Sequence, residues 1–364
     1  MIYYNMSCGL VGNSCHSDVM TELTPREEQV FRSVVRNFIQ NARPVGSRLV
    51  AKQCGMEVSA ATIRNVMADL EEKGLITHPH TSAGRVPTDR GYRYFVDSLM
   101  EVDDLTPQER EEICGKLLCP SADVEQILES SSRALGNISK LLGVVLAPRF
   151  YQGVFDRLDL VEIADKRILV VIRVKSGLVK TILMEIDSNL SRDRLEETAR
   201  VLNERLHGLT LLEIKRSIDK RMTDISEGSP ELVRLIVGSA ESVFDVDAGA
   251  HFYVSGTGNI LSQPEFISHE QMGKILQLLD QKQVLIQVLN DQGKKEGVSI
   301  IIGEENREEL MRSCSLITAT YNLGDVTGTL GVLGPTRMQY AKVIALVDYM
   351  AQVLRELIRE RQVI

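Results

Sequence analysis

The chain of 364 residues has no apolar run long enough to cross a membrane. Its first 20 residues also lack the basic start and continuous apolar core of a secretory signal, and they read as a loose extension. Its six cysteines are scattered without CxxC spacing, which argues against a disulfide scaffold and fits a reducing compartment. We therefore expect a globular cytoplasmic protein without membrane contact.

Signatures of catalysis and of cofactor binding are also missing. The glycines at Gly256 and after Gly324 form neither a phosphate-binding loop nor a dinucleotide fingerprint. No Ser/His/Asp or Cys/His arrangement has a supporting local motif. His78 and His80 lie close together but lack the other ligands of a four-coordinate zinc site. The sequence thus predicts no catalytic residue, no cofactor and no metal, and the protein is not expected to be an enzyme.

A strongly basic charge is absent, since the net charge is −8, and this argues against a general polyanion binder. The charge is uneven, however. Residues 20–100 contain 11 Lys and Arg against 9 Asp and Glu, whereas the remainder after residue 100 contains 31 against 40. A slightly basic segment on an acidic body is typical of a specific DNA reader whose body faces away from the phosphates.

The stretch Ser47–Pro87 has the order of a winged helix-turn-helix. One helix opens at Ser47, and a turn follows. A second helix runs from Ser59 to Gly74, and a ribbon with Arg85 near its tip comes next. Upstream, a helix with a capping box precedes this unit. The order of helix, turn, helix and ribbon makes DNA the first partner to consider.

The second helix separates into a buried stripe and a polar face. Ile63, Val66 and Leu70 belong to the stripe, at helical spacing. Arg can bind guanine, Asn can bind adenine and Thr can meet a thymine methyl group. An ordinary amphipathic helix with a solvated face is the alternative, but the flanking helix and ribbon favour DNA binding. The predicted DNA-binding residues are Ser59, Thr62, Arg64 and Asn65 on the helix and His80, Ser82 and Arg85 in the ribbon.

The rest of the chain alternates between helical and strand patterns. Amphipathic periodicity and β-branched runs predict an α/β body interrupted by a mostly helical segment. The predicted helices are Pro107–Leu118, Ser121–Leu146, Asp193–Leu206, Leu211–Thr223, Pro230–Val246, Ser268–Gln281 and Thr336–Arg361. The predicted strands are Leu158–Ile163, Arg167–Val174, Val179–Ile186, Val284–Leu289, Val298–Ile302, Cys314–Leu323 and Val326–Leu333.

Three runs give a specific resemblance. The segment THPHTSAGRVPTDRGYRYFVD, together with LTPREEQV and GTLGVLGPTRMQYAKVIALVDYM, closely resembles the bacterial heat-inducible transcription repressors of the HrcA family. The resemblance implies an α+β multidomain fold, with an N-terminal winged helix-turn-helix and a GAF-like α/β domain interrupted by a mostly helical inserted domain. The expected divisions are an extension at 1–20, a DNA-binding domain at 21–100, a GAF-like domain at 106–190 and 264–364, and an inserted dimerisation domain at 191–263.

The same resemblance implies a function. One helix reads only a few base pairs, so two copies related by a two-fold axis are needed to read an inverted repeat of double-stranded DNA. The resemblance adds an operator upstream of chaperone operons and a GroEL-type chaperonin that keeps the repressor active. A regulator switched by a small molecule in the GAF-like domain is the second hypothesis. An enzyme with a winged-helix appendage is the third, which the missing catalytic motifs disfavour.

Overall fold

A computed structural model describes residues 22–53, 59–79, 84–117, 124–148, 152–164, 166–177, 179–186, 191–223, 228–239, 243–244, 252–324 and 326–361. Helices and sheets are mixed throughout these residues. They form two compact units. The first contains the described parts of Met1–Val145, Tyr253–Thr320 and Thr329–Val353, and the second those of Leu146–Phe252, Tyr321–Gly328 and Leu354–Ile364. No helix in the described ranges is long and apolar enough to cross a membrane.

The first unit begins with a helical segment that we call the head, residues 22–100. Its elements are α1 (Pro25–Asn41), α2 (Ser47–Gln53), α3 (Ala60–Glu72), β1 (Ile76–Thr77), β2 (Val86–Pro87) and α4 (Asp89–Tyr94), which continues as a π-helical turn at Phe95–Leu99. The predicted capping box is confirmed, because Thr24 N–H donates to Glu27 Oε2 at 2.7 Å and Glu27 N–H donates to Thr24 Oγ1 at 3.3 Å. Strands β1 and β2 pair antiparallel, as the ribbon pattern predicts.

The remainder of the first unit, which we call the body, is built on a five-stranded sheet in the order β7-β3-β10-β9-β8. These strands are β3 (Leu142–Leu146), β7 (Phe252–Ser255), β8 (Val298–Ile302), β9 (Cys314–Leu323) and β10 (Val326–Pro335). The accompanying helices are α5 (Pro107–Leu117), α6 (Val124–Ser139), α10 (Thr257–Leu261), α11 (His269–Asp280), α12 (Lys282–Gln292) and α13 (Tyr340–Arg361). Strand β8 pairs antiparallel with β9.

Two sequence predictions in the body are wrong. The predicted helix Ser121–Leu146 ends at Ser139, and after Lys140, which has a φ of 58°, the chain continues as β3. The predicted strand Val284–Leu289 is instead part of helix α12. Leu285 and Leu289 are its buried residues, and they lie about one helical turn apart. A short apolar run such as this fits the spacing of a helix and that of a strand, and tertiary packing selected the helix.

The second unit is a three-stranded antiparallel sheet covered by helices. Its elements are β4 (Phe155–Ala164), β5 (Arg167–Val174), β6 (Val179–Glu185), α7 (Arg192–Leu206), α8 (Leu211–Arg221) and α9 (Pro230–Gly238). One buried cluster joins strand residues such as Leu158 and Ile172 to helix residues such as Leu202. Asn203 of α7 also bonds both the N–H and the C=O of Leu158, at 2.7 and 2.9 Å.

This buried cluster crosses the domain boundary that was expected between residues 190 and 191. The family resemblance implied that β4, β5 and β6 belong with the later strands in one interrupted domain. In the structure these three strands share a core with α7, α8 and α9. Sequence periodicity identifies each strand but cannot say which sheet it joins.

Candidate nucleic-acid interface

Helix α3 starts at the residue that the sequence predicts. The Ser59 Oγ accepts from Thr62 N–H at 3.1 Å, which caps the first turn. The buried face of the helix consists of Ile63, Val66, Met67 and Leu70. Because these residues recur at three- and four-residue intervals, they fix α3 on the head by one side and leave the opposite side facing outward.

The outward side carries the predicted reading residues. Arg64 and Asn65 are exposed, and neither makes a hydrogen bond or ion pair within the described residues. Thr62 is half-buried, and its Oγ1 lies 3.0 Å from Ser59 Oγ. The structure therefore brings Ser59, Thr62, Arg64 and Asn65 together in the first half of one helix. A guanidinium, an amide and two hydroxyls can form the bidentate and single contacts that base edges accept.

Arg85 is placed differently from the other predicted residues. Its Nη2 lies 3.0 Å from Glu71 Oε2, its Nη1 contacts His78 Nε2, and His78 Nδ1 in turn contacts Glu71. Only 15% of the Arg85 side chain is exposed. Arg85 thus holds the ribbon to the end of α3, and it reaches a phosphate only after leaving this cluster. His80 and Ser82 lie outside the described residues.

The ribbon also depends on a close backbone approach. The Arg85 N–H donates to Val45 O at 2.9 Å, and Val45 N–H donates to Arg85 O at 2.8 Å. A Cβ at Gly84 would lie 2.5 Å from the Val45 carbonyl, so glycine is required beside this pair. The chain between α1 and α2 is therefore bonded to the ribbon.

A further ion pair joins the first and third helices. Lys73 Nζ donates to Glu27 Oε1 at 2.6 Å. Burial alone would raise the pKa of Glu27, but hydrogen bonds from Lys73 and Thr24 hold it below its ordinary value. The pair fixes the C-terminal end of α3 to the first turn of α1.

Two cations on α2 were not singled out by the sequence. Arg48 and Lys52 are four residues apart and exposed, and neither has a bonding partner in the described part of the chain. In helix-turn-helix proteins the helix before the reading helix crosses the DNA backbone. Cations at this place would contact phosphates, and their helical spacing was the signal that could have identified them.

Comparisons with known proteins agree on one family. The family model described as "HrcA protein C terminal domain" matches residues 125–344. The heat-inducible transcription repressor HrcA of Chlorobium phaeobacteroides (strain BS1) is 40% identical over 341 residues, which are 91% of this chain and 97% of that protein. The protein of the same name from Chlorobium chlorochromatii (strain CaD3) is 42% identical over 338 residues, covering 91% and 96%.

One solved structure shares the fold. It is described as a hypothetical protein, has a TM-score of 0.61 and is 22% identical in sequence. The match covers 93% of this chain and 99% of the solved one. At this identity the likeness concerns the arrangement of helices and strands and not the chemistry of the site.

Proposed function

The chain belongs to the HrcA family of heat-inducible transcription repressors, and on that premise we propose that it represses chaperone operons by binding an inverted-repeat operator. The head acts as a winged helix-turn-helix, with α3 in the major groove and the ribbon as the wing. The observation that carries the proposal is the unpaired polar face of α3 at Arg64 and Asn65. In this role the protein works in the cytoplasm and needs neither a catalytic residue nor a cofactor.

The test is footprinting of chaperone promoters with the pure protein. Protection of an inverted repeat supports the proposal, and each half-site should lose protection in Arg64→Ala. Arg312→Ala serves as the control, because Arg312 is an exposed arginine of the body. Equal protection of unrelated promoters at moderate salt would leave only non-specific phosphate binding, which the acidic chain makes weak.

Reading an inverted repeat requires two copies, and the sheet of the second unit supports a dimer. Val161, Leu169 and Leu183 align in one row across β4, β5 and β6 on the face away from the buried cluster. Val161 is 47% exposed and Leu183 is 56% exposed. Exposed apolar rows of this kind on the face of a sheet mark interaction surfaces. A second copy of the same face covers this row in the proposed dimer, because two-fold symmetry makes the two surfaces self-complementary.

Point substitutions test this dimer better than removal of a domain. Deleting residues 191–263 removes the helices that cover the buried side of the sheet, together with β7, so both units would be damaged. Leu183→Lys places a charge in the apolar row, and sedimentation should then show monomers. Glu196→Lys on the outer side of α7 introduces the same residue and should leave the dimer intact. A dimeric Leu183→Lys protein would rule out this face.

We further propose that a GroEL-type chaperonin keeps the repressor active, as the family membership implies. The measurement is operator affinity with and without added chaperonin, before and after mild heating. A rise in active repressor with chaperonin supports this part of the proposal, and an unchanged active fraction contradicts it. Small metabolites added in place of chaperonin provide the comparison with a ligand-switched regulator.

A further inference from the structure

Helix α4 is attached rigidly to the end of the reading helix. Thr88 Oγ1 donates to Gly74 O at 2.7 Å, and Thr88 N–H donates to Leu75 O at 3.1 Å. A Cβ at Gly91 would lie 2.0 Å from Leu75 O, so α4 touches the backbone of that turn directly. Any movement of α4 therefore moves the C-terminal end of α3.

The opposite side of α4 is attached to the body by Arg93. Its Nε and Nη2 donate to the two carboxylate oxygens of Glu305 at 2.8 and 2.6 Å, and Nη2 also donates to Ile300 O at 2.8 Å. Burial works against the charge, but the hydrogen bonds to Glu305 raise the pKa of Arg93 above its ordinary value. A bidentate arginine–carboxylate pair fixes orientation as well as distance.

Asp89 adds a contact that only glycine on the body side permits. Its carboxylate accepts from Glu304 N–H at 2.9 Å. Gly303 has a φ of 52°, and a Cβ there would lie 1.8 Å from the Asp89 carboxylate. Further along α4, the ring of Tyr92 packs against the ring of Tyr340, with the ring centroids 5.7 Å apart. Polar and aromatic contacts thus follow α4 over its whole length.

Arg337 of the body reaches a second element of the head. Its Nη1 donates to Ile39 O at the end of α1 at 2.8 Å, while the same guanidinium is held by Glu265. The head therefore contacts the body at two separate points, at α4 and at the end of α1.

From these contacts we propose that α4 is a rigid coupling that sets the direction of the reading helix relative to the body, with Arg93 as its main positioning residue. The proposal rests on the proposed dimeric reader. Two copies joined through residues outside their heads present their α3 helices at one separation only if neither head can swing. The coupling consequently determines which half-site spacing the dimer accepts, although Arg93 touches no base.

The test measures binding of the full-length protein to DNA of varied geometry. Duplexes carry the inverted repeat that the wild-type protein selects from a randomised library, with the half-sites moved apart or together by single base pairs. A duplex with one half-site is measured in parallel. We expect Arg93→Ala to lose about tenfold in affinity at the preferred spacing, the size of one charge-assisted contact, and to lose little at other spacings. Affinity for the single half-site should be unchanged.

The controls separate positioning from general damage. Glu305→Gln removes the same pair from the body side and should flatten the spacing dependence in the same way, which keeps the test valid if Arg93→Ala does not fold. Exchange of the two charges, Arg93→Glu with Glu305→Arg, should restore part of the preference. Arg312→Ala removes an equal charge elsewhere on the body and should have no effect.

Two results would overturn the coupling. One is an Arg93→Ala protein with the spacing preference of the wild type. The other is an equal loss on the single half-site, because Arg93 would then act on the head itself or on DNA. If the wild-type protein shows no preferred spacing at all, the proposed dimeric reader fails, and this outcome is distinct from failure of the coupling.

Discussion

The two ends of helix α3 use their polar side chains in opposite ways. At the N-terminal half, Arg64 and Asn65 are exposed and bond to nothing within the described residues. At the C-terminal end, Glu71 binds Arg85 and Lys73 binds Glu27. Polar groups that are paired inside the protein hold its shape, whereas unpaired ones on a fixed element are available to a ligand. In the proposed function, this difference makes the N-terminal half of α3 the recognition end and its C-terminal end the architectural end.

The largest effect is expected where the architectural end meets α4. Gly91→Ala places a methyl group 2.0 Å from Leu75 O, so the backbone must shift. We expect a loss of about 2–3 kcal/mol in the free energy of unfolding, the size of an overpacked core site. Urea unfolding followed by circular dichroism measures it. Gly46→Ala is the matched control, since no atom lies within 4 Å of a Cβ there. Equal stability of both variants would contradict the close contact.

The recognition end should affect binding without affecting folding. Arg64→Ala or Asn65→Ala should weaken operator binding by about 1–3 kcal/mol each and relax the base preference at the contacted position. The free energy of unfolding should change by less than about 0.5 kcal/mol, because both side chains are exposed and unpaired. Fluorescence anisotropy on matched and mismatched duplexes measures the first effect. An unchanged base preference would mean that α3 is not the reading element.

Arg85 tests the comparison, because it is paired at the C-terminal end of α3 and is also a predicted DNA contact. Arg85→Ala should weaken binding to all sequences and lower the slope of log affinity against log salt by about one, if Arg85 reaches a phosphate. Glu71→Gln distinguishes two possible effects of the Glu71–Arg85 pair on DNA binding. Affinity should rise if Glu71 competes with DNA for the guanidinium, and it should fall if the pair with Glu71 is what positions the wing. A neutral result in both variants would remove Arg85 from the interface.

The smallest effect concerns the ion pair that anchors the end of α3. The pKa of Glu27 is lowered in the folded state. The ion pair therefore stabilises the fold at pH values above 4.5, the ordinary pKa of glutamate, and this contribution is lost as the pH falls through the folded-state pKa. Lys73→Met should cost about 0.5–1 kcal/mol at pH 7, as for a partly exposed pair. The difference from the wild type should shrink below pH 4.5 in urea titrations. A constant difference across that range would assign the cost to lost packing.

Local signals in the sequence predicted local structure well. The Thr24 capping box, the start of α3 at Ser59 and the buried stripe of α3 agree with the sequence predictions. Each depends on residues within one or two turns, so its physics is contained in a short window. Short apolar runs were less reliable, as α12 shows, because they satisfy a helix and a strand equally.

The sequence by itself determined the caps, the helical faces and the runs that identify the family. Only the tertiary structure decided that Arg85 lies against Glu71, that β4, β5 and β6 share a core with α7, and that Arg93 meets Glu305, which is 212 residues away along the chain. Spacing along a sequence fixes which residues share a face of one helix. It carries no information about the distant element that this face will meet, because that choice depends on packing of the whole unit.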